Sequence, residues 1–174
     1  MDNTENLIDL CKKGNRKAQY EIYKHYSKAM FSVCFRILNH QQDAEDALQE
    51  AFLKAFTNID FFRNESTFGA WLKRIVINTA VNVVRKKKIV WQEITSQTEH
   101  YEEEPTSEHE QDWQIEQVRN GIQQLPNGFR VVLSLYLLEG YDHQEISEIL
   151  DISVSTSKSQ YNRAKRSLLE ILKN

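Results

Sequence analysis

From Asn15 onward the apolar positions Ile22, Tyr26, Met30, Val33 and Ile37 recur at spacings of three and four, which predicts a long amphipathic helix with one inward stripe. Gly14 separates it from a short first helix carrying Leu7, Leu10 and Cys11. After Asn39-His40-Gln41-Gln42, Asp43 reads as the N-cap of a further helix whose inward positions are Ala44, Ala47, Leu48, Ala51, Phe52, Ala55, Phe56 and Ile59. A polar and aromatic connection from Asp60 to Gly69 then leads into a helix from Ala70 to about Lys88, with Leu72, Ile75, Val76, Thr79 and Val83 facing in. A first helical domain, residues 1–90, closes there.

Residues 91–112 break the pattern. They hold eight acids and no Lys or Arg, with too few apolar residues to bury, and predict a flexible acidic linker. The helical period returns from Trp113 through Val118, Ile122 and Leu125. Pro126-Asn127-Gly128 interrupts it, and it resumes with Phe129, Val132, Leu133, Tyr136 and Leu137 up to Gly140 as a stop. Asp142-His143-Gln144-Glu145 matches a capping box for a short helix burying Ile146, Ile149 and Leu150. A turn over Asp151-Ile152-Ser153-Val154 precedes a last helix, capped by Ser155, that runs from Thr156 towards Leu172. Short helix, tight turn and basic second helix make a helix-turn-helix without a wing, so residues 113–174 form a second domain.

Composition agrees. Only 5 Gly and 2 Pro in 174 residues favour helices with short connections, and the expected class is all-α, two small helical domains joined by the acidic linker. No apolar run reaches the ~18 residues that span a bilayer, and the first residues have neither a basic start nor an apolar stretch, so a cytoplasmic protein is expected. Cys11 and Cys34 sit in apolar helical patterns without Cys-x-x-Cys spacing and read as buried free thiols. The net charge of −3 conceals an uneven spread: residues 1–90 carry fifteen basic against ten acidic residues, and residues 113–174 carry seven of each. Within the latter the basic residues crowd into Lys158, Arg163, Lys165, Arg166 and Lys173, which makes the last helix locally positive.

Three surfaces are candidates for function. On the last helix, if Ser157, Tyr161 and Ala164 face inward, Lys158, Ser159, Asn162, Arg163 and Arg166 share the outward side, the mixture that reads base edges and binds phosphates in a major groove. On the helix from Ala70, Arg74, Asn78, Asn82 and Arg85 form a polar stripe suited to tracking a DNA strand. Beside it Phe61, Phe62 and Phe68 stand in a stretch too mixed to bury all three, with Phe68 the one expected in the core. Stacking a base on an aromatic ring is worth ~1–3 kcal/mol, comparable to the ~1.4 kcal/mol mean cost of opening a base-pair step, so a few such contacts would hold a melted base. On the helix from Asp43, Asp46, Gln49, Glu50 and Leu53 line up opposite the core stripe and suit a partner helix bearing Arg. Asp43, Asp46 and Glu50 have ordinary surface spacing and no converging His, and the chain has no phosphate-cradling loop or nucleophile motif. Catalytic residues, metal and cofactor are therefore all expected to be none.

The stretches Asp43-Ala44-Glu45-Asp46-Ala47-Leu48-Gln49-Glu50-Ala51-Phe52 and Ser66-Thr67-Phe68-Gly69-Ala70-Trp71-Leu72-Lys73-Arg74-Ile75, with Asn78, resemble the core of extracytoplasmic-function (ECF) sigma factors of the sigma-70 family. A second stretch, from Leu125-Pro126 through Tyr141-Asp142-His143-Gln144-Glu145-Ile146 to Thr156-Ser157-Lys158-Ser159 and Arg163-Ala164-Lys165, is similar to that family's −35-reading helix-turn-helix. The resemblance implies a non-enzymatic factor that binds core RNA polymerase, directs it to specific promoters and promotes −10 melting. It places region 2 in residues 1–90 and region 4 in residues 113–174. It assigns Asp46, Gln49, Glu50 and Leu53 to the clamp helices of the largest polymerase subunit. Asn58, Phe61, Phe62, Arg63, Asn64, Arg74, Asn78, Asn82 and Arg85 go to the −10 element, and Ser155, Thr156, Lys158, Ser159, Asn162, Arg163 and Arg166 to the −35 element. It implies promoter DNA and an anti-sigma factor as further partners, and a linker threading towards the polymerase active site.

Two positions depart from the family pattern. Ser157 stands where a small aliphatic residue is usual and is expected to loosen the recognition helix. Gln160 stands where Arg is frequent and is expected to remove one phosphate contact and flatten the salt dependence. Two other readings of the residues remain: a stand-alone helix-turn-helix regulator that binds a palindromic operator by itself, and a protein adaptor whose acidic face alone is functional.

Overall fold

The computed structural model describes residues 3–86 and 114–173, and the chain divides into two compact units, residues 1–87 and 88–174. The described residues are helical with short connections, so the architecture is all-α. The acidic segment 91–112, expected as a linker, lies outside the described residues.

The first unit comprises α1 (Asn3–Lys12), α2 (Arg16–Leu38), α3 (Gln41–Thr57), a 3₁₀ turn (Ile59–Phe61) and α4 (Phe68–Lys86). Gly14 ends the first connection at φ 75°, a conformation that costs a residue without Cβ little. Asn15 then caps α2, its side-chain oxygen accepting from the backbone N–H of Lys17 at 3.0 Å and Ala18 at 3.1 Å. The α2 to α3 junction is tighter than the sequence suggests. Asn39 takes the left-handed conformation at φ 49° and returns its N–H to Phe35 O at 2.7 Å, so the chain reverses within two residues. The N-cap of α3 is consequently His40, and Asp43, expected to cap, is the third residue of the helix. At that place its carboxylate still favours the positive N-terminal end of the helix dipole.

Ala44, Ala47, Ala51 and Ala55 are all at most 1% exposed and form a small-residue stripe along α3, letting its backbone come close to α2 and α4. The helix α4 starts two residues earlier than expected because Thr67 caps it, Oγ1 accepting from Ala70 N–H at 3.2 Å. Its buried set is also wider than one stripe. Leu72, Val76 and Thr79 are buried as expected, joined by Ile77, Ala80, Val81 and Val84, whereas Ile75 and Val83 are only half-buried. Contact with both α2 and α3 turns the helix so that adjacent pairs of positions are covered.

The second unit comprises α5 (Ile115–Gln124), α6 (Asn127–Leu133), a π-helical turn (Ser134–Leu138), α7 (His143–Leu150) and α8 (Val154–Lys173). Its core joins Ile122, Leu125 and Leu133 to Ala164 and Leu168 of α8. Gly121 permits this approach: a Cβ there would meet Leu168 Cδ1 at 2.7 Å. Arg130 is buried, its guanidinium donating to Leu125 O at 3.2 Å and Asn127 Oδ1 at 2.6 Å, which closes the α5 to α6 corner. Burial holds that guanidinium below its ordinary pKa.

The capping box of α7 forms as its sequence predicts: Glu145 N–H donates to Asp142 Oδ1 at 2.8 Å and Asp142 N–H to Glu145 Oε2 at 2.9 Å. Asp151 ends α7 at φ 55°, doing the work usually given to glycine, since a short polar side chain tolerates the left-handed region. The cap of α8 is Ser153, not Ser155. Its Oγ accepts from Thr156 N–H at 3.0 Å and lies 2.8 Å from the hydroxyls of both Ser155 and Thr156. Both cysteines are free and buried, and desolvation raises both thiols, Cys34 to about 12.

Candidate nucleic-acid and protein interfaces

The outer face of α3 exposes Asp46, Gln49, Glu50 and Leu53 together, Leu53 at 69%. Glu50 and Lys54 pair at 2.6 Å across one helical turn, and that hydrogen bond, with Lys86 contributing at longer range, draws the Glu50 carboxyl below its ordinary pKa. Both side chains are solvated, so the pair orients the carboxylate more than it stabilises the fold.

Beside this face lies an open groove of about 400 Å³ lined by Gln19, Tyr20, Tyr23, Gln49, Phe52, Leu53 and Phe56. Tyr20 is 63% exposed, and Tyr23 meets Phe52 edge-on at 4.8 Å. Tyr20 and Tyr23 escaped the sequence reading, although their spacing of three, off the Ile22 to Ile37 stripe, marks them as outward apolar positions. Exposed aromatic and aliphatic side chains flanked by carboxylates form a surface suited to a partner that brings apolar anchors and cations.

The connection after α3 separates its three phenylalanines. Phe68 is buried, as expected. Phe62, expected to be available for stacking, is also buried, 5.4 Å from Phe68 with the rings at 90° and 5.4 Å from Trp71. The reading of Phe62 as an exposed ring is therefore corrected, for it is the anchor that ties the 3₁₀ turn to α4. Phe61, 71% exposed, is the ring of the three that is presented to solvent. Around it Asn58 caps α3, its side-chain nitrogen donating to Lys54 O at 2.8 Å, while Arg63 and Asn64 are exposed, the latter at φ 59°. On α4, Arg74, Asn78, Asn82 and Arg85 are all exposed, so the stripe predicted from spacing exists as one solvent-facing row.

In α8, Ser157 and Ala164 are buried, Lys158 and Arg166 are exposed, and Ser159, Asn162 and Arg163 are half-buried, as is Tyr161, with Ser155 and Thr156 in the first turn. Two expectations about this helix change. Gln160 is completely buried and points inward, so the residue at this position is not placed to contact phosphate, and its identity does not set the salt dependence. Ser157 does not leave a loose spot: its hydroxyl lies 2.9 Å from His143 Nδ1. The His143 ring is stacked on Tyr136 at 4.6 Å. Burial, then Lys158, hold the imidazole below its ordinary pKa, while Asp142 opposes them.

The model of the Sigma-70 region 2 family matches residues 22–89, and that of Sigma-70, region 4 matches residues 115–168. The chain is 31% identical to the ECF RNA polymerase sigma factor SigW of Bacillus subtilis, over 96% of this chain and 95% of that protein. It is 30% identical to the RNA polymerase sigma-H factor of Pseudomonas aeruginosa, over 94% and 91% of the two chains. It is 30% identical to the ECF RNA polymerase sigma-E factor of Escherichia coli, over 93% and 90%. Among solved structures it is similar to CnrH in complex with the cytosolic domain of CnrY, with a TM-score of 0.57 and 22% identity over 99% of this chain and 98% of that one. It is likewise similar to the sigma factor RpoE in complex with the anti-sigma factor NepR from Bartonella quintana, with a TM-score of 0.57 and 21% identity over 88% and 96%.

Proposed function

Because this chain belongs to the sigma-70 family as an ECF RNA polymerase sigma factor, a transcription initiation factor that binds core polymerase and directs it to specific promoters, we propose how its surfaces divide that work. The α3 face, Asp46, Gln49, Glu50 and Leu53, docks on the clamp helices of the largest polymerase subunit, the carboxylates meeting cations and Leu53 supplying the apolar anchor. Phe61, with Asn58, Arg63 and Asn64, captures a base of the opened −10 element, while Arg74, Asn78, Asn82 and Arg85 follow the strand. The outward side of α8 reads the −35 element: Ser159 and Asn162 address base edges, Lys158, Arg163 and Arg166 provide charge, and Ser155 and Thr156 sit at the helix start facing phosphate.

On this reading residues 1–90 are region 2, residues 91–112 the acidic linker and residues 113–174 region 4. The protein performs no chemistry of its own and works in the cytoplasm, where polymerase and promoter meet. An anti-sigma factor restrains it by covering the docking and DNA faces, as expected for a chain similar to factors solved with CnrY and NepR.

The observation that carries the reading is the exposure of Leu53 and Phe61, two large apolar side chains at 69% and 71%, each set among the polar residues its partner requires. The test is in-vitro transcription with bacterial core polymerase on a library of promoter fragments, comparing the protein with an Asp46→Arg/Glu50→Arg variant and a Lys158→Ala/Arg163→Ala variant. New start sites that vanish with the first variant support the docking face. Loss with the second on promoters bearing a −35 element supports the α8 assignment, and promoter-directed transcription that survives it overturns that assignment.

A further inference from the structure

The recognition helix α8 is joined to the helix before it by a contact that its outward residues do not explain. Ser157 is fully buried, and its Oγ lies 2.9 Å from Nδ1 of His143, the first residue of α7. The His143 ring is stacked on Tyr136 of the π-helical turn, with centroids 4.6 Å apart and planes at 20°, and stands edge-on to Tyr161 of α8 at 5.6 Å. Tyr136 and Tyr161 meet each other at 4.5 Å, and Lys165 Nζ lies 5.7 Å from the centre of the Tyr161 ring. One imidazole on α7 therefore touches both the π-helical turn and α8, and its hydrogen bond ends on the residue next to Lys158.

We infer that the His143–Ser157 hydrogen bond is a positioning tie that sets the rotation of α8 about its own axis, and through it how sharply Ser159 and Asn162 discriminate −35 bases. The inference rests on α8 being the −35 reader.

The physical argument concerns tolerance. A side-chain tip lies about 6 Å from a helix axis, so a rotation of about 10° moves it by about 1 Å. The useful range of a hydrogen-bond distance is about 0.5 Å wide, so base contacts are lost over a rotation that long, flexible lysine contacts to phosphate survive. Apolar packing of Ala164 and Leu168 resists separation of the helices but tolerates small rotations, because dispersion is non-directional. A buried hydroxyl bonded to an imidazole that is itself wedged between two tyrosines resists rotation. Its loss should lower discrimination between sequences more than it lowers total binding.

The experiment uses the full-length protein with core polymerase and reads the ratio of transcription from a cognate promoter to that from promoters with single-base changes in the −35 element. His143→Phe keeps the ring and removes the hydrogen bond; Ser157→Ala removes the same bond from the other side; His143→Asn keeps an amide near the position of Nδ1. We expect His143→Phe, Ser157→Ala and the double variant each to reduce the ratio by about fivefold or more, the lower end of what one base contact discriminates. The losses should not add, because all three remove one bond, and His143→Asn should stay close to wild type. Should His143→Phe fail to fold, Ser157→Ala against His143→Asn makes the same comparison. A wild-type ratio well above one that persists in Ser157→Ala and His143→Phe, while their melting temperatures fall, overturns the tie and leaves it a stability contact. A wild-type ratio of one overturns the −35 assignment itself, and the tie's role with it.

Discussion

Gln160→Met should stabilise the second unit. Gln160 is fully buried in α8, and neither Nε2 nor Oε1 has a hydrogen-bond partner among the described residues. Burying an amide without compensation costs ~1–3 kcal/mol by protein mutational data. Methionine follows the same unbranched path with no polar atom to satisfy, so most of that cost is recovered. Its sulfur and methyl are somewhat bulkier than the amide, and the repacking they require subtracts about 1 kcal/mol at most. The net expectation is a gain of ~1–2 kcal/mol, and for a unit of this size each kcal/mol raises the melting temperature by roughly 4–8 °C. Two units complicate a bulk melt of the whole chain, so the assay is amide hydrogen exchange of α8 in the full-length protein. There the slowest amides report opening of the second unit alone. The salt dependence of promoter binding should not change, because the side chain is fully buried, away from the side proposed to contact DNA. A variant destabilised by more than ~1 kcal/mol would refute the argument, since it would mean that the amide is satisfied in solution, for instance by a buried water making two or three hydrogen bonds.

Phe61→Ala should leave unfolding within ~0.5 kcal/mol of wild type but reduce promoter opening, read by permanganate reactivity of −10 thymines. Phe62→Ala should cost ~3–5 kcal/mol in urea unfolding through the cavity it leaves against Phe68 and Trp71; equal stabilities of the two would refute the division between them. The second unit should also lose stability in acid through His143. Its pKa is depressed in the fold by burial and by Lys158 of α8, with Asp142 of α7 opposing and the neutral rings of Tyr136 and Tyr161 covering the faces. The unfolded chain therefore binds a proton more readily below the ordinary value of 6.5, and stability falls as pH is lowered through that value. Unfolding curves over about pH 5.5–7.5 should show this slope in wild type and lose it in His143→Asn, where the titrating group is gone.

Helix existence was legible in the sequence wherever burial is one-sided. The α3 stripe from Ala44 to Ala55 and the capping box at Asp142 both follow from spacing alone, since α3 buries one side against α2 and α4 and leaves the other in water, which imposes the 3.6-residue period. Boundaries were not legible where side chains compete to cap. The sequence offers Asp43 as the cap of α3, but the left-handed turn at Asn39 brings the chain round early, so that His40 takes the cap and Asp43 falls inside the helix. The same competition gave α8 to Ser153 ahead of Ser155. Arg130 and Gln160 were invisible as core residues because charge and polarity argue for the surface. Arg130 is buried because two oxygens of the α5 to α6 corner receive its guanidinium. Gln160 is buried because the period of α8 puts it one turn before Ala164.

The candidate contacts were legible for a different reason, which the neighbouring Phe61 and Phe62 make plain. In a 3₁₀ turn successive side chains point about 120° apart, so with Phe62 turned into the core the adjacent Phe61 points away from it. The 3₁₀ turn ends by returning Phe62 N–H to Ile59 O at 3.1 Å; Ile59 is itself buried, and the pair closes the same side of the core. Phe61 is thereby forced outward, although leaving such a ring in water forgoes roughly 1.5–3 kcal/mol of burial. Leu53 on α3 forgoes a comparable amount, lying off the alanine stripe by construction of the helix. Folding alone would have allowed a polar residue at either position at no loss. Their retention among carboxylates in one case and among Asn and Arg in the other is what separates a contact surface from an ordinary solvated face. Polar rows such as Arg74, Asn78, Asn82 and Arg85 do not carry that information, because a solvated helix would show the same pattern.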